Sequence, residues 1–127
     1  MQQRRQRPVY LNLLQITLPP GGWVSILHRV SGVLLIFATP VFLWFFGRSL
    51  HDDAGYQQVA SLLGAGFARL LLWGFALALW HHMLAGVRHL LLDLKIGIGK
   101  PCARLSAYIV MALDVVGALL LGMMLWR

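Results

Sequence analysis

Apolar residues collect in three long runs with short polar stretches between them. The first runs from about Val24 to Phe46, the second over about 62–94, and the third from about Leu105 to Trp126. Each is long enough as a helix to cross a hydrocarbon core of about 30 Å. The pattern predicts an all-α fold, a transmembrane bundle of three helices. Pro40 is expected to kink the first, which membrane bundles tolerate. Residues 47–61 read as a short polar loop, and 95–104 as a second. The chain divides into an N-terminal arm, 1–22, and a three-helix domain, 23–127. The arm is basic and proline-punctuated. Its Val9, Leu11, Leu13 and Leu14 with Pro19-Pro20 read as an extended or interfacial lead-in, which Gly21-Gly22 ends. There is no internal repeat.

Composition supports this reading. Hydrophobic residues make up 59% of the 127 and charged residues 12%, about half the charged share of an ordinary soluble domain. The net charge of +7 raises the question of nucleic acid. The basic residues, however, sit at the ends of apolar runs and form no interleaved patch, so no nucleic-acid partner is expected. They speak instead for a lipid bilayer and for topology. Arg4, Arg5 and Arg7 lie in the arm, and Lys95, Lys100 and Arg104 in the second loop. The first loop has Arg48 alone against Asp52 and Asp53. The positive-inside rule then puts the N-terminus and the second loop in the cytoplasm. The arginines of the arm are followed by no immediate apolar region, so a signal peptide is not expected. Cys102 is alone, which leaves neither a disulfide framework nor a paired-cysteine metal site.

The chemistry lies in the few polar residues inside the runs. Between Leu70 and Val87 the only ionisable residues are His81 and His82. A buried imidazole at membrane depth needs a role or a partner. At about 100° per residue, His82, Gly86, His89 and Asp93 share one helical face. His81 points elsewhere, to face lipid or pack against a partner. One imidazole, a glycine one turn on, then Arg88 and His89 towards the water make a plausible wall for a flat cofactor with an anionic tail, and haem is the obvious candidate. The alternative is a structural histidine that bonds a carbonyl on a neighbouring helix. Two axial nitrogens on one iron must lie about 4 Å apart, whereas His82 and His89 are separated by about 10 Å along the axis, and His28 lies too shallow. If haem is bound, its second axial ligand therefore comes from another chain.

On the first helix, Ser25, Arg29 and Gly32 share a face, with His28 offset from Arg29 by about 100°. A hydroxyl and a guanidinium at the interface suit a quinone carbonyl or a propionate. For Arg29 alone the competing reading is snorkelling to lipid phosphate. The His28-Arg29 and Arg88-His89 pairs fall at matching height, which favours a site. His51 is expected to be solvated. Asp114, in the middle of the third run, should be protonated, paired or at a polar helix interface.

Three segments carry a family resemblance: Arg7-Pro8, the stretch Ser25-Ile26-Leu27-His28-Arg29-Val30-Ser31-Gly32, and His82-x-x-x-Gly86-x-Arg88-His89-x-x-x-Asp93. Their order and spacing closely resemble the cytochrome b membrane-anchor subunit of succinate dehydrogenase (succinate:quinone reductase, respiratory complex II), over nearly the whole chain. The Val9-Tyr10-Leu11-Asn12-Leu13 stretch resembles the shorter bacterial form, and Asp114 matches no family role.

The resemblance implies a subunit that carries no succinate-oxidising site of its own. It implies pairing with a second three-helix anchor, one haem b held between the two, and docking of an iron–sulfur subunit and a flavoprotein subunit on the cytoplasmic side of the bacterial inner membrane. Electrons from succinate would reach ubiquinone through such a complex. By position, His82 matches the axial ligand of the haem iron, and the partner anchor supplies the other. His28, Arg29 and His89 match haem-contacting or propionate-pairing positions, and Ser25 with Arg29 matches the quinone-site pair. A haem-free structural anchor of a related succinate dehydrogenase or fumarate reductase is the alternative. A transporter is disfavoured, because ionisable residues other than Asp114 concentrate in the cytoplasmic half.

Overall fold

The computed structural model describes residues 18–127, and all its regular structure is helical. Four helices follow in order: α1 Pro20–His51, α2 Asp53–Gly64, α3 Gly66–Asp93 and α4 Lys100–Leu125. Helices α1, α3 and α4 are each long and apolar enough to cross a membrane, so the chain is a multi-pass membrane protein. The lead-in at 9–14 and the Arg7-Pro8 pair lie outside the described residues.

Helix α1 begins earlier than the apolar run, because Pro20 occupies its first turn behind Pro19. A proline there gives up an N–H that has no intrahelical acceptor and presets the helical φ. Gly21-Gly22 thus opens the helix rather than ending a lead-in. The 32 residues of α1 span about 48 Å at 1.5 Å each, more than the thickness of a bilayer core. The helix continues through Pro40. Beside it, the Thr39 hydroxyl donates to the Leu35 carbonyl at 2.7 Å.

The polar loop expected at 47–61 is instead the end of α1 and most of α2. Asp52 is the residue that makes the difference. Its carboxylate accepts from the Gly55 backbone N–H and caps α2, and Asp53 adds a second acid to the first turn. Both favour a helix N-terminus. Val59 is buried, while Gln57 and Gln58 face out, so α2 is a short amphipathic helix. The second span accordingly starts at Gly66 rather than near Leu62. The α3–α4 link is tight, with Lys95 and Gly97 at φ of 62° and 73°. Pro101 sits in the first turn of α4.

Helix α3 is central and packs against both α1 and α4. The small buried cluster is Val24, Ala85, Ala107 and Val110, near the end where α1 and α4 begin. Many large apolar side chains face outward, with Ile36, Phe37 and Met124 more than two-thirds exposed. Lipid is as apolar as leucine, so exclusion from water does not hold such helices together. Small residues and interhelical polar contacts do. Glycines provide the close approaches here. A Cβ on Gly117 would stand 2.7 Å from Trp80 Cδ1, and one on Gly122 3.5 Å from Trp73 Nε1. Each indole also donates across the seam, Trp80 Nε1 to the Leu113 carbonyl and Trp73 Nε1 to the Ala118 carbonyl, both at 3.0 Å.

Candidate haem and quinone face

Three histidines meet at the α1–α3 seam. His28 on α1 stacks on His82 of α3, with ring centroids 4.2 Å apart and an interplanar angle of 11°. It also meets His89 at 5.0 Å in a tilted arrangement. Two glycines make room. A Cβ on Gly86 would lie 3.3 Å from His28 Nε2, and one on Gly32 would lie 3.1 Å from His82 Cε1. Each helix thus lays an imidazole over a glycine of the other.

The hydrogen bonds set the His82 tautomer. The Ser31 hydroxyl donates its one proton to the His28 carbonyl at 2.9 Å. His82 Nδ1 lies 3.2 Å from that same carbonyl and 3.2 Å from the Ser31 oxygen. A carbonyl only accepts, so in a bond to it Nδ1 carries the hydrogen and donates. The Nε2 lone pair is then available, and Nε2 has no hydrogen-bond partner among the described residues. A histidine whose far nitrogen donates to a carbonyl is oriented as metal-ligating histidines are. His89 is held the same way, with Nδ1 donating to the Ala85 carbonyl at 2.6 Å. Beside His82 a groove of about 550 Å³ opens, lined by Gly32, Leu35, Ile36, Thr39 and Pro40. An oriented imidazole with a free lone pair, next to an open groove beside a glycine, fits a planar iron-bearing group.

Ser25 is half-buried and Arg29 exposed, one turn apart on α1. Neither side chain makes a hydrogen bond among the described residues, so the donors of both are free. The structure therefore brings His28, His82 and His89 together and leaves Ser25 and Arg29 beside them without an internal partner.

Of the two readings of His81, packing against a partner holds and a lipid face does not, and the partner lies on another helix of this chain. His81 is 7% exposed, and its Nδ1 lies 2.7 Å from Asp114 Oδ2 on α4. Asp114 is thus paired, one of the outcomes its depth demanded. Stepping from His82 to His81 turns the side chain by about 100°, from the α1–α3 seam into the α3–α4 seam. The sequence held a signal for this. His81 and Asp114 are the two ionisable groups left over at midspan, at similar depth on successive antiparallel helices. For Arg88 the expectation is corrected. It does not join His89 in facing a cofactor, but turns towards α4, donating from Nε to Ser106 Oγ and from Nη2 to the Ala103 carbonyl, both at 3.1 Å.

Residues 3–121 match the family described as succinate dehydrogenase/fumarate reductase transmembrane subunit. The succinate dehydrogenase cytochrome b556 subunit of Coxiella burnetii is 33% identical over 122 residues, covering 95% of this chain and 98% of that protein. The protein of the same name from Rickettsia felis is 31% identical over 121 residues, 95% of this chain and 91% of its own. That of Paracoccus denitrificans is 28% identical over 117 residues, 92% and 90% respectively. With all three resembling segments inside the matched range and the three apolar helices in place, the chain belongs to the succinate dehydrogenase/fumarate reductase transmembrane subunit family.

Proposed function

We propose that this chain is the cytochrome b subunit of a succinate dehydrogenase, that it holds one haem b jointly with a second three-helix anchor, and that it forms part of the ubiquinone site. The observation that carries the reading is the placement of the His82 ring, with Nδ1 3.2 Å from the His28 carbonyl and Nε2 without a hydrogen-bond partner among the described residues. The names of the cytochrome b556 relatives support it. The second axial histidine comes from the partner anchor. His89 lies about 10 Å along the helix from His82, and His28 is stacked flat on His82, so neither can face it across one iron.

Haem b, when bound, supplies a one-electron carrier within the membrane. The chain's own residues do the rest. The Ser31 hydroxyl and the His28 carbonyl fix the His82 ring. His28, His89 and Arg29 lie towards the cytoplasmic end, where they suit the propionates. Ser25 and Arg29 offer a hydroxyl and a guanidinium to a quinone carbonyl, and the guanidinium also favours negative charge as it builds on that oxygen. The N-terminus and the α3–α4 link face the cytoplasm, in the inner membrane of a bacterium. There the iron–sulfur and flavoprotein subunits dock, and succinate is oxidised in them rather than here.

The test is a reduced-minus-oxidised spectrum of the complex purified through this chain, with its co-purifying subunits identified. A b-type spectrum that disappears in His82→Ala is expected. An intact complex with no haem spectrum would replace this reading with a haem-free anchor.

A further inference from the structure

The α3–α4 seam carries a buried cation for which this chain has no counter-anion. Arg88 is 8% exposed. Its two hydrogen bonds go to a hydroxyl and a backbone carbonyl, both neutral. The entire sequence has four acids, and none neutralises it. Asp52 and Asp53 lie at the opposite end of the bundle, beyond α1. Asp114 is taken by His81. Asp93 is exposed and makes no ion pair with Arg88 among the described residues. Residues 1–17 contain no acid at all. A charge this buried calls for pairing, and no acid of this chain supplies it.

The space around Arg88 says what kind of anion. A groove of about 520 Å³ runs along the α3–α4 seam from Arg88, Ile96 and Cys102 to Met83, Ile109 and Leu113. Apart from Arg88 and Ser106 at one end, its walls are apolar or small. Lys95 and Lys100, both exposed, flank the end that carries Arg88. From Cys102 to Leu113 the groove follows twelve residues of α4, eleven steps or about 16 Å at 1.5 Å each, close to half of a hydrocarbon core of about 30 Å. A groove one leaflet deep, cationic at the headgroup end and apolar below, matches an amphiphile with an anionic head. It opens at the α3–α4 seam, whereas His82 faces the α1–α3 seam, so it is separate from the haem and quinone face.

We propose that this groove binds an anionic glycerophospholipid of the leaflet that meets the α3–α4 link, its phosphate paired with Arg88 and one acyl chain lying between Val87 and Ile109. The proposal does not depend on haem or quinone binding.

The complex purified through this chain is stripped of lipid in detergent and re-equilibrated with phosphatidylglycerol or phosphatidylcholine, and retained lipid is counted by native mass spectrometry. Phosphatidylglycerol should be retained over phosphatidylcholine. Arg88→Gln should lower its retention at least about tenfold, as loss of one partner of a buried charge pair does, and Arg88→Lys should restore part of it. Ile109→Trp fills the groove with Arg88 intact and should lower retention as well, which keeps the test open if Arg88→Gln does not assemble. Equal retention of the two lipids, or undiminished retention in Arg88→Gln or Ile109→Trp, would overturn the proposal. So would displacement of the lipid by an equal concentration of inorganic phosphate, since the apolar groove would then contribute nothing. Loss of the soluble subunits from Arg88→Gln with lipid retention unchanged would identify the anion as a partner's carboxylate and likewise overturn it.

Discussion

The carbonyl of His28 and the ring of His82 define the orientation of the proposed haem ligand. The carbonyl accepts from Nδ1 at 3.2 Å, while the His28 imidazole lies flat against the same ring at 4.2 Å. One residue thus sets both the tautomer and the tilt of its neighbour on another helix. Ser31, 5% exposed, reinforces the arrangement from one turn further along α1.

His82→Ala should therefore abolish the b-type spectrum. Ser31→Ala should keep the haem but shift its reduction potential, because removing a hydrogen-bonding partner of a metal-bound histidine changes the ligand's basicity. Potentiometric titration of the purified complex reads both. An unchanged potential in Ser31→Ala together with full haem in His82→Ala would remove this imidazole from the site.

Gly32 provides an independent check on the same ring. An alanine there puts its Cβ 3.1 Å from His82 Cε1, closer than ordinary contact, so the imidazole must move by a few tenths of an ångström. Gly32→Ala should perturb the reduced spectrum. Gly64→Ala, whose Cβ meets nothing within 4 Å, should leave it unchanged. Similar spectra from the two variants would mean that the seam yields without moving the ring.

The pair His81–Asp114 should govern stability rather than the spectrum. His81→Ala leaves Asp114, half-buried on α4, without its partner, and a lost hydrogen bond to a charged group costs about 1.5–3 kcal/mol. The double variant His81→Leu with Asp114→Leu removes both groups, and should regain most of that loss in a thermal-dissociation assay of the complex. The b-type absorbance should persist in whatever complex assembles. Additive losses in the double variant would show that the two side chains do not interact.

Much of this was legible in the sequence, and the misses have physical reasons. The three apolar runs locate α1, α3 and α4 because twenty or so lipid-compatible residues leave little else to form. The His82-Gly86-His89 face followed from helical periodicity alone. Hydropathy failed at 47–61, where Asp52 and Asp53 read as loop residues but serve as cap and first-turn acid of α2. It also failed for His81 and Arg88, because periodicity says which residues share a face, not which neighbour that face meets. Pairing α3 with α4 on one side and α1 on the other is information that only the packing holds.

Topology can be tested with a native reference residue. Cys102 is exposed in the first turn of α4, on the side assigned to the cytoplasm. Gln57, exposed on α2, lies at the other end of the bundle. In intact cells a membrane-impermeant maleimide should label Gln57→Cys in a Cys102→Ser background, and should leave the native Cys102 unlabelled until the cells are opened. The reverse pattern would invert the chain and move the proposed quinone site to the outer surface.

Ser25 and Arg29 should act on quinone rather than on succinate. They stand one turn apart on α1, with no hydrogen-bond partner among the described residues, so their donors are available to a ligand. The succinate site lies in a soluble partner under this reading, out of reach of either side chain. Ser25→Ala removes one donor with little change of shape, and such a loss costs about 0.5–1.5 kcal/mol, a few-fold in quinone-linked turnover. Arg29→Ala removes a charge as well, and hydrogen bonds to charged groups are worth about 1.5–3 kcal/mol, so its loss should exceed tenfold. Arg29→Lys keeps the charge but not the planar fork, and should fall between wild type and alanine. Succinate oxidation by an artificial acceptor that draws electrons from the soluble subunits should stay at the wild-type rate in all three variants. A parallel fall in both assays would place the defect in assembly or in the soluble subunits. Unchanged quinone turnover in Arg29→Ala would leave its guanidinium with lipid phosphate as its partner, the snorkelling geometry open to any exposed arginine at a membrane surface.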